Sequence, residues 1–120
     1  MADPFALIIE SDPAEASTFA GALQAAGFHT EVVGSGHKAQ ARLVFMLPDL
    51  VLLDMHLPYL PFWVVLRQIR AQERLENTQV VVAADDAQAA SRLETAVEHV
   101  LLKPARFEQV YHLAGQLFPE

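Results

Sequence analysis

The chain contains no cysteine, which excludes a disulfide framework and any thiolate-held metal. Basic residues are scarce: 8 Lys and Arg stand against 15 Asp and Glu, for a formal net charge of −7. A surface of that sign repels a phosphate backbone, so no direct nucleic-acid binding by this chain is expected. No apolar run approaches the length needed to cross a bilayer. The start, Met1-Ala2-Asp3-Pro4, has no basic stretch ahead of its apolar run, so no signal peptide is read there. A cytoplasmic protein with no membrane contact is the expectation. G-x-G-x-x-G and P-loop motifs are missing, which leaves nucleotide or flavin binding without residue-level support. The five histidines, His29, His37, His56, His99 and His112, fall on separate segments without metal-ligand spacing. No repeat, low-complexity tract or linker interrupts the sequence, so a single domain over residues 1–120 is expected.

What the chain does have is apolar content, 52% of its residues, enough to pack an interior at this length. It is organised around Asp49-Leu50-Val51-Leu52-Leu53-Asp54-Met55-His56-Leu57-Pro58. Four consecutive aliphatic residues ending on one carboxylate read as a strand buried on both faces, the central strand of a parallel sheet. Asp54 then stands at the carboxyl end of that strand, the edge where open α/β sheets bind ligands. A carboxylate in that place either caps the next turn or belongs to a charged site, because burying it alone is costly.

The flanking segments supply the rest of such a sheet. Phe5-Ala6-Leu7-Ile8-Ile9 is a short apolar strand leading into Glu10-Ser11-Asp12. Asp12-Pro13-Ala14-Glu15 predicts a helix start, with Asp12 as cap, Pro13 first and Glu15 completing a capping box. Ala16, Phe19, Ala20 and Leu23 form its buried stripe, and Gly27 is its left-handed stop. His29 to Val33 reads as an edge strand. A second helix is expected from about His37 to Phe45, with Ala39, Leu43 and Met46 inward. A third turns Phe62, Val65, Leu66 and Ile69 inward. Gln79 to Ala83 is a fourth strand, and Asp85-Asp86 opens a short fourth helix at the positive end of its dipole. Val97 to Leu102 is a fifth strand. The last helix runs from about Arg106 to Leu117, with Phe107, Val110, Leu113 and Leu117 inward. Strand and helix alternate five times, with crossovers long enough for right-handed βαβ units. The expected fold is α/β, a flavodoxin-like doubly wound (βα)5 sandwich with parallel strand order 2-1-3-4-5. That order brings Glu10, Ser11, Asp12, Asp54 and Lys103 to one rim.

With those residues in place, the chain resembles a receiver domain of a two-component response regulator, the family of the bacterial chemotaxis regulator. The resemblance covers essentially all 120 residues. It is carried by Leu50-Val51-Leu52-Leu53-Asp54-Met55-His56-Leu57-Pro58 and Leu101-Leu102-Lys103-Pro104, with weaker support from Ile8-Ile9-Glu10-Ser11-Asp12-Pro13. It implies that Asp54 is the phosphoacceptor, taking a phosphoryl group from the phosphohistidine of a histidine kinase or phosphotransfer protein. It implies Mg2+ held by Glu10, Asp54 and the backbone carbonyl of His56; Asp12, one residue past the acid pair, is a candidate substitute ligand whose capping role competes with metal binding. Lys103 would pair with the carboxylate and then with the phosphoryl oxygens, and the bond to Pro104 would be cis. No enzyme activity beyond self-phosphorylation and dephosphorylation at Asp54 is implied. The signal would pass to a downstream protein or output domain. The ending Leu117-Phe118-Pro119-Glu120 fits a complete protein and an excised domain alike.

The sequence departs from the family pattern in places that bear on function. Ser11 stands where the family has a second acid, which lowers the expected Mg2+ affinity roughly ten- to hundredfold. Ala84 stands at the switch position that normally carries a Ser or Thr, and Val100 at the one that normally carries an aromatic. The acceptor is kept while the readout is degenerate, so the alternative is a pseudo-receiver acting as a phosphorylation-independent interaction or dimerisation module. A small enzyme or flavin carrier on the same fold is a remoter third reading. Tyr59, Trp63 and Val64 around the third helix, and Tyr111 on the last, are candidate residues for a partner interface or homodimer. Tyr59 and Trp63 would share one helical face if that helix began early enough.

Overall fold

A computed structural model describes residues 3–119; Met1, Ala2 and Glu120, on which the readings of the two chain ends drew, lie outside the described residues. Strands β1 (Phe5–Ile9), β2 (His29–Val33), β3 (Leu50–Asp54), β4 (Gln79–Ala84) and β5 (His99–Leu102) alternate with helices α1 (Pro13–Ala25), α2 (Gly36–Phe45), α3 (Phe62–Ala71), α4 (Ala87–Leu93) and α5 (Phe107–Leu117). All strand pairs are parallel, in the order β2-β1-β3-β4-β5. The expected flavodoxin-like sandwich is the observed fold, with β2 at an edge.

Strand periodicity assigns the two faces. Ala6, Ile8, Leu50, Leu52, Val81 and Leu101 point to the side covered by α1 and α5, where Phe19, Leu23, Val110 and Leu113 meet them. Leu7, Ile9, Val51, Leu53, Val80 and Val82 point to the other side, against Leu43, Val65 and Ile69 from α2 and α3. Every residue of β3 is buried, which is why that strand is apolar throughout until Asp54. Gly27, at φ 99°, ends α1 in the left-handed region.

Several local expectations are corrected. Asp12 caps α1, accepting from the N–H groups of Ala14 and Glu15, but Glu15 does not complete a capping box. Glu10 Oε2 instead accepts the Asp12 N–H at 3.1 Å, and the Glu15 carboxylate turns elsewhere. Strand β5 begins at His99 rather than Val97, because the Glu98 carboxylate accepts the Val80 N–H at 2.6 Å in place of a main-chain carbonyl. Phe107 is 42% exposed: it sits in the first turn of α5, where it reaches across to Gly21 of α1 rather than into the core. Tyr59 lies outside α3 at φ 68°, so it shares no helical face with Trp63.

Candidate functional site

The rim at the carboxyl ends of the strands follows from register. Ile9 pairs with Leu53, and the Glu10 N–H donates to the Val33 carbonyl at 3.1 Å, carrying the ladder one residue further. Glu10 therefore stands beside Asp54. The Lys103 N–H likewise donates to the Ala84 carbonyl at 2.8 Å. With a period of two, Glu10 continues the row Ala6–Ile8, Asp54 the row Leu50–Leu52 and Lys103 the row from Leu101, all on the α1 and α5 side. Lys103 Nζ donates to Asp54 Oδ1 at 2.7 Å and lies 3.7 Å from Glu10 Oε1. The Lys103–Pro104 bond is cis.

A third carboxylate, unforeseen from the sequence, joins them: Glu15 Oε2 lies 3.2 Å from Lys103 Nζ. The Asp54 and Glu10 side chains are 2% and 1% exposed, Lys103 13% and Glu15 33%. Glu10 Oε1 has no hydrogen-bond partner. Burial, with a smaller push from the Asp54 charge, raises the Glu10 pKa to about 7 against the pull of the Asp12 N–H. Burial alone would lower the Lys103 pKa, but the bonds to Asp54 and Glu15 and the charges of Asp54 and Glu10 outweigh it and raise it above the ordinary lysine value. The pocket thus holds a permanent ammonium among three acids.

The other expected positions divide. Ser11 is exposed, and Asp12 is committed to its cap. Ala84 is fully buried and offers no donor. Val100 packs half-buried against the α3-side core. The His56 ring meets the Asp85 carboxylate, a bridge between the loops after β3 and β4. Tyr59 is 94% exposed and Trp63 48%, with the Arg67 guanidinium 4.8 Å over the Trp63 ring. Val64 is half-buried. Tyr111 is exposed and stacked on Phe107.

Among the described residues, no group of three or more His, Cys, Asp or Glu is arranged to hold a metal ion. Two carboxylates, one with an unpartnered buried oxygen, are nonetheless donors of the kind Mg2+ takes when it keeps most of its water. The residues fit an open, hydrated site and not a closed cage.

The family model described as the response regulator receiver domain matches residues 6–114. The chain belongs to that family. Among similar proteins, the DNA-binding response regulator MtrA of Mycolicibacterium smegmatis is 31% identical over 98 residues, which are 82% of this chain and 43% of that protein. The DNA-binding dual master transcriptional regulator RpaA of Synechocystis is 29% identical over 110 residues, 89% of this chain and 46% of that protein. The receiver chain thus spans less than half the length of these relatives. The chemotaxis response regulator CheY4 of Vibrio cholerae shares the fold at a TM-score of 0.88 and 16% identity, over 98% of this chain and 100% of that one. The receiver domain of the sensor histidine kinase PA1611 of Pseudomonas aeruginosa, solved with a magnesium ion coordinated in its active-site cleft, does so at 0.84 and 23% identity, over 97% and 98%. As a receiver domain the chain is a module of two-component signalling. No helix among its described residues is long and apolar enough to cross a membrane.

Proposed function

We propose that residues 1–120 form a single phosphoaccepting receiver in which Asp54 takes a phosphoryl group from the phosphohistidine of a histidine kinase or phosphotransfer protein. The observation that carries this reading is the 2.7 Å contact between Lys103 Nζ and Asp54 Oδ1 in a buried acidic pocket. A carboxylate oxygen of Asp54 attacks phosphorus, the phosphorus–nitrogen bond breaks, and the donor imidazole leaves with the electron pair. Lys103 pairs first with the acceptor carboxylate and then with a phosphoryl oxygen, taking up its charge as the new bond forms. Glu10, Asp54 and the His56 carbonyl would hold Mg2+, which supplies further neutralisation of the transferring group. Ser11 makes that site weak. The signal then passes through protein contacts to a downstream protein or output domain, in the cytoplasm. A chain with a net charge of −7 leaves any contact with DNA to such a partner.

The test is intact-mass measurement after incubation with a small phosphodonor over a series of Mg2+ concentrations. A mass gain of one phosphoryl group, lost in Asp54→Asn, supports the reading. The second reading, a pseudo-receiver that works by protein contacts or homodimerisation alone, is favoured by the buried Ala84, which has no hydroxyl to bond a phosphoryl group. No mass gain at high Mg2+ selects it.

A further inference from the structure

Lys103 is held by acids from three different segments, and one of them makes no other contact of this kind among the described residues. Asp54 ends the central strand and Glu10 anchors the Asp12 N–H. Glu15, released from its capping role by Glu10, projects from α1 to within 3.2 Å of Lys103 Nζ. We propose that Glu15 is a positioning residue that carries Lys103 at the pocket mouth and supplies the carboxylate that position 11 lacks. This rests on reading Asp54 as the acceptor.

The physical reason is competition for the same oxygens. An ammonium 2.7 Å from Asp54 Oδ1 repels any second cation that docks on Asp54 and Glu10. Glu15, the most exposed of the three acids, gives the ammonium an anchor toward solvent. Lys103 can then turn from Asp54 without losing all its partners, which would be costly for a charge this buried. With Glu15 the pocket carries three carboxylates against one ammonium; without it, two against one. A serine at position 11 is tolerable on this basis because the missing charge arrives from one turn into the next helix. An ordinary exposed ion pair would contribute little and would not be coupled to what binds Asp54.

The experiment is calorimetric titration of the protein with MgCl2 at pH 8, for wild type, Glu15→Gln, Ser11→Asp and the double variant. Glu31→Gln serves as a charge control, since Glu31 pairs with Arg42 through β2 and α2. Glu15→Gln is expected to weaken Mg2+ binding roughly three- to tenfold, and Glu31→Gln to leave it unchanged. Ser11→Asp is expected to strengthen binding and to reduce the effect of Glu15→Gln below about twofold, the non-additivity of groups serving one purpose. Unchanged affinity in Glu15→Gln, an equal loss in Glu31→Gln, or full additivity with Ser11→Asp overturns the proposal. If the wild type binds no Mg2+ at all, the metal-assisted reading of Asp54 fails on its own account. Glu15 is then judged without metal from the NMR resonance of the Lys103 ammonium: a shift in Glu15→Gln and not in Glu31→Gln supports its role, and an unmoved resonance overturns it.

Discussion

Glu10 should make the metal-free protein less stable as pH rises through neutrality, and Glu10→Gln should remove that dependence. The folded carboxyl has a pKa of about 7 against an ordinary value of 4.5. Between these values the folded chain holds a proton that the unfolded chain has released, so unfolding loses protons and stability falls with pH. Below pH 4.5 both states are protonated and the group is neutral in effect. Above pH 7 both are ionised and the folded state bears the whole cost of an anion that is 1% exposed and has one unpartnered oxygen. A displacement of that size corresponds to about 3 kcal/mol. Glutamine keeps an acceptor for the Asp12 N–H and cannot ionise. Urea unfolding in EDTA, at pH 5 and pH 8, measures the difference. Glu10→Gln should be near neutral at pH 5 and stabilising by up to about 3 kcal/mol at pH 8, less whatever Lys103 loses with a partner. A variant whose effect is the same at both pH values, or that is destabilising at pH 8 alone, refutes the assignment of a buried, proton-holding Glu10.

Lys103→Met leaves Asp54, Glu10 and Glu15 facing one another without their ammonium, and should destabilise by about 2–4 kcal/mol at pH 8. The loss should shrink at pH 5, where Glu10 holds its proton; equal losses in the same urea assay count against a shared electrostatic pocket. His56→Ala and Asp85→Ala remove a pair that is largely exposed, so stability should change by less than about 1 kcal/mol. Amide exchange in the loops after β3 and β4 should quicken in both variants, and in the double variant no further than in either single one. Gly36→Ala places a Cβ 2.7 Å from Leu60 Cδ2 and 3.2 Å from its Cβ. Displacing Leu60 should cost about 1 kcal/mol and show as larger chemical-shift changes in residues 55–61 than elsewhere.

The sheet was readable because its signals are local. An unbroken aliphatic run ending on Asp54 has one economical interpretation, and the Lys103-Pro104 pair after a second apolar run repeats it. Register then does the rest, since parallel pairing sets Glu10 beside Asp54 once the strand order is known. Glu15 was not readable. A glutamate three residues after a capping aspartate is the signature of a capping box, and only the tertiary placement of Glu10 shows which carboxylate takes the free N–H. The start of β5 and the exposure of Phe107 depart from expectation for a related reason. A side-chain acceptor from Glu98 and a helix-to-helix contact from Phe107 to Gly21 override periodicities that treat each element alone. The His56–Asp85 contact joins two loops whose separation no sequence pattern encodes.

The two halves of a receiver's work rest on different parts of this chain. On the proposed reading the acceptor would depend on strand ends, whose positions follow from the buried register of β1, β3 and β5, and Glu10, Asp54 and Lys103 meet there although Ser11 adds no charge. The response, on the family pattern, would depend on a polar group at the end of β4 and an aromatic in β5, and here those positions hold a buried alanine and a core-packed valine. Moving a two-state equilibrium from one extreme to the other takes about 5.5 kcal/mol of differential interaction, of which a charge-assisted bond to a hydroxyl would supply about 1.5–3 kcal/mol. If Asp54 is phosphorylated, the remainder has to come from the charges already in contact with it. Lys103 is placed to feel both Asp54 and α1, through Glu15. A response in this receiver would then be strongest along α1, and a phosphorylated protein whose largest chemical-shift changes fall on α4 and β5 instead would show that the conventional route survives without its hydroxyl.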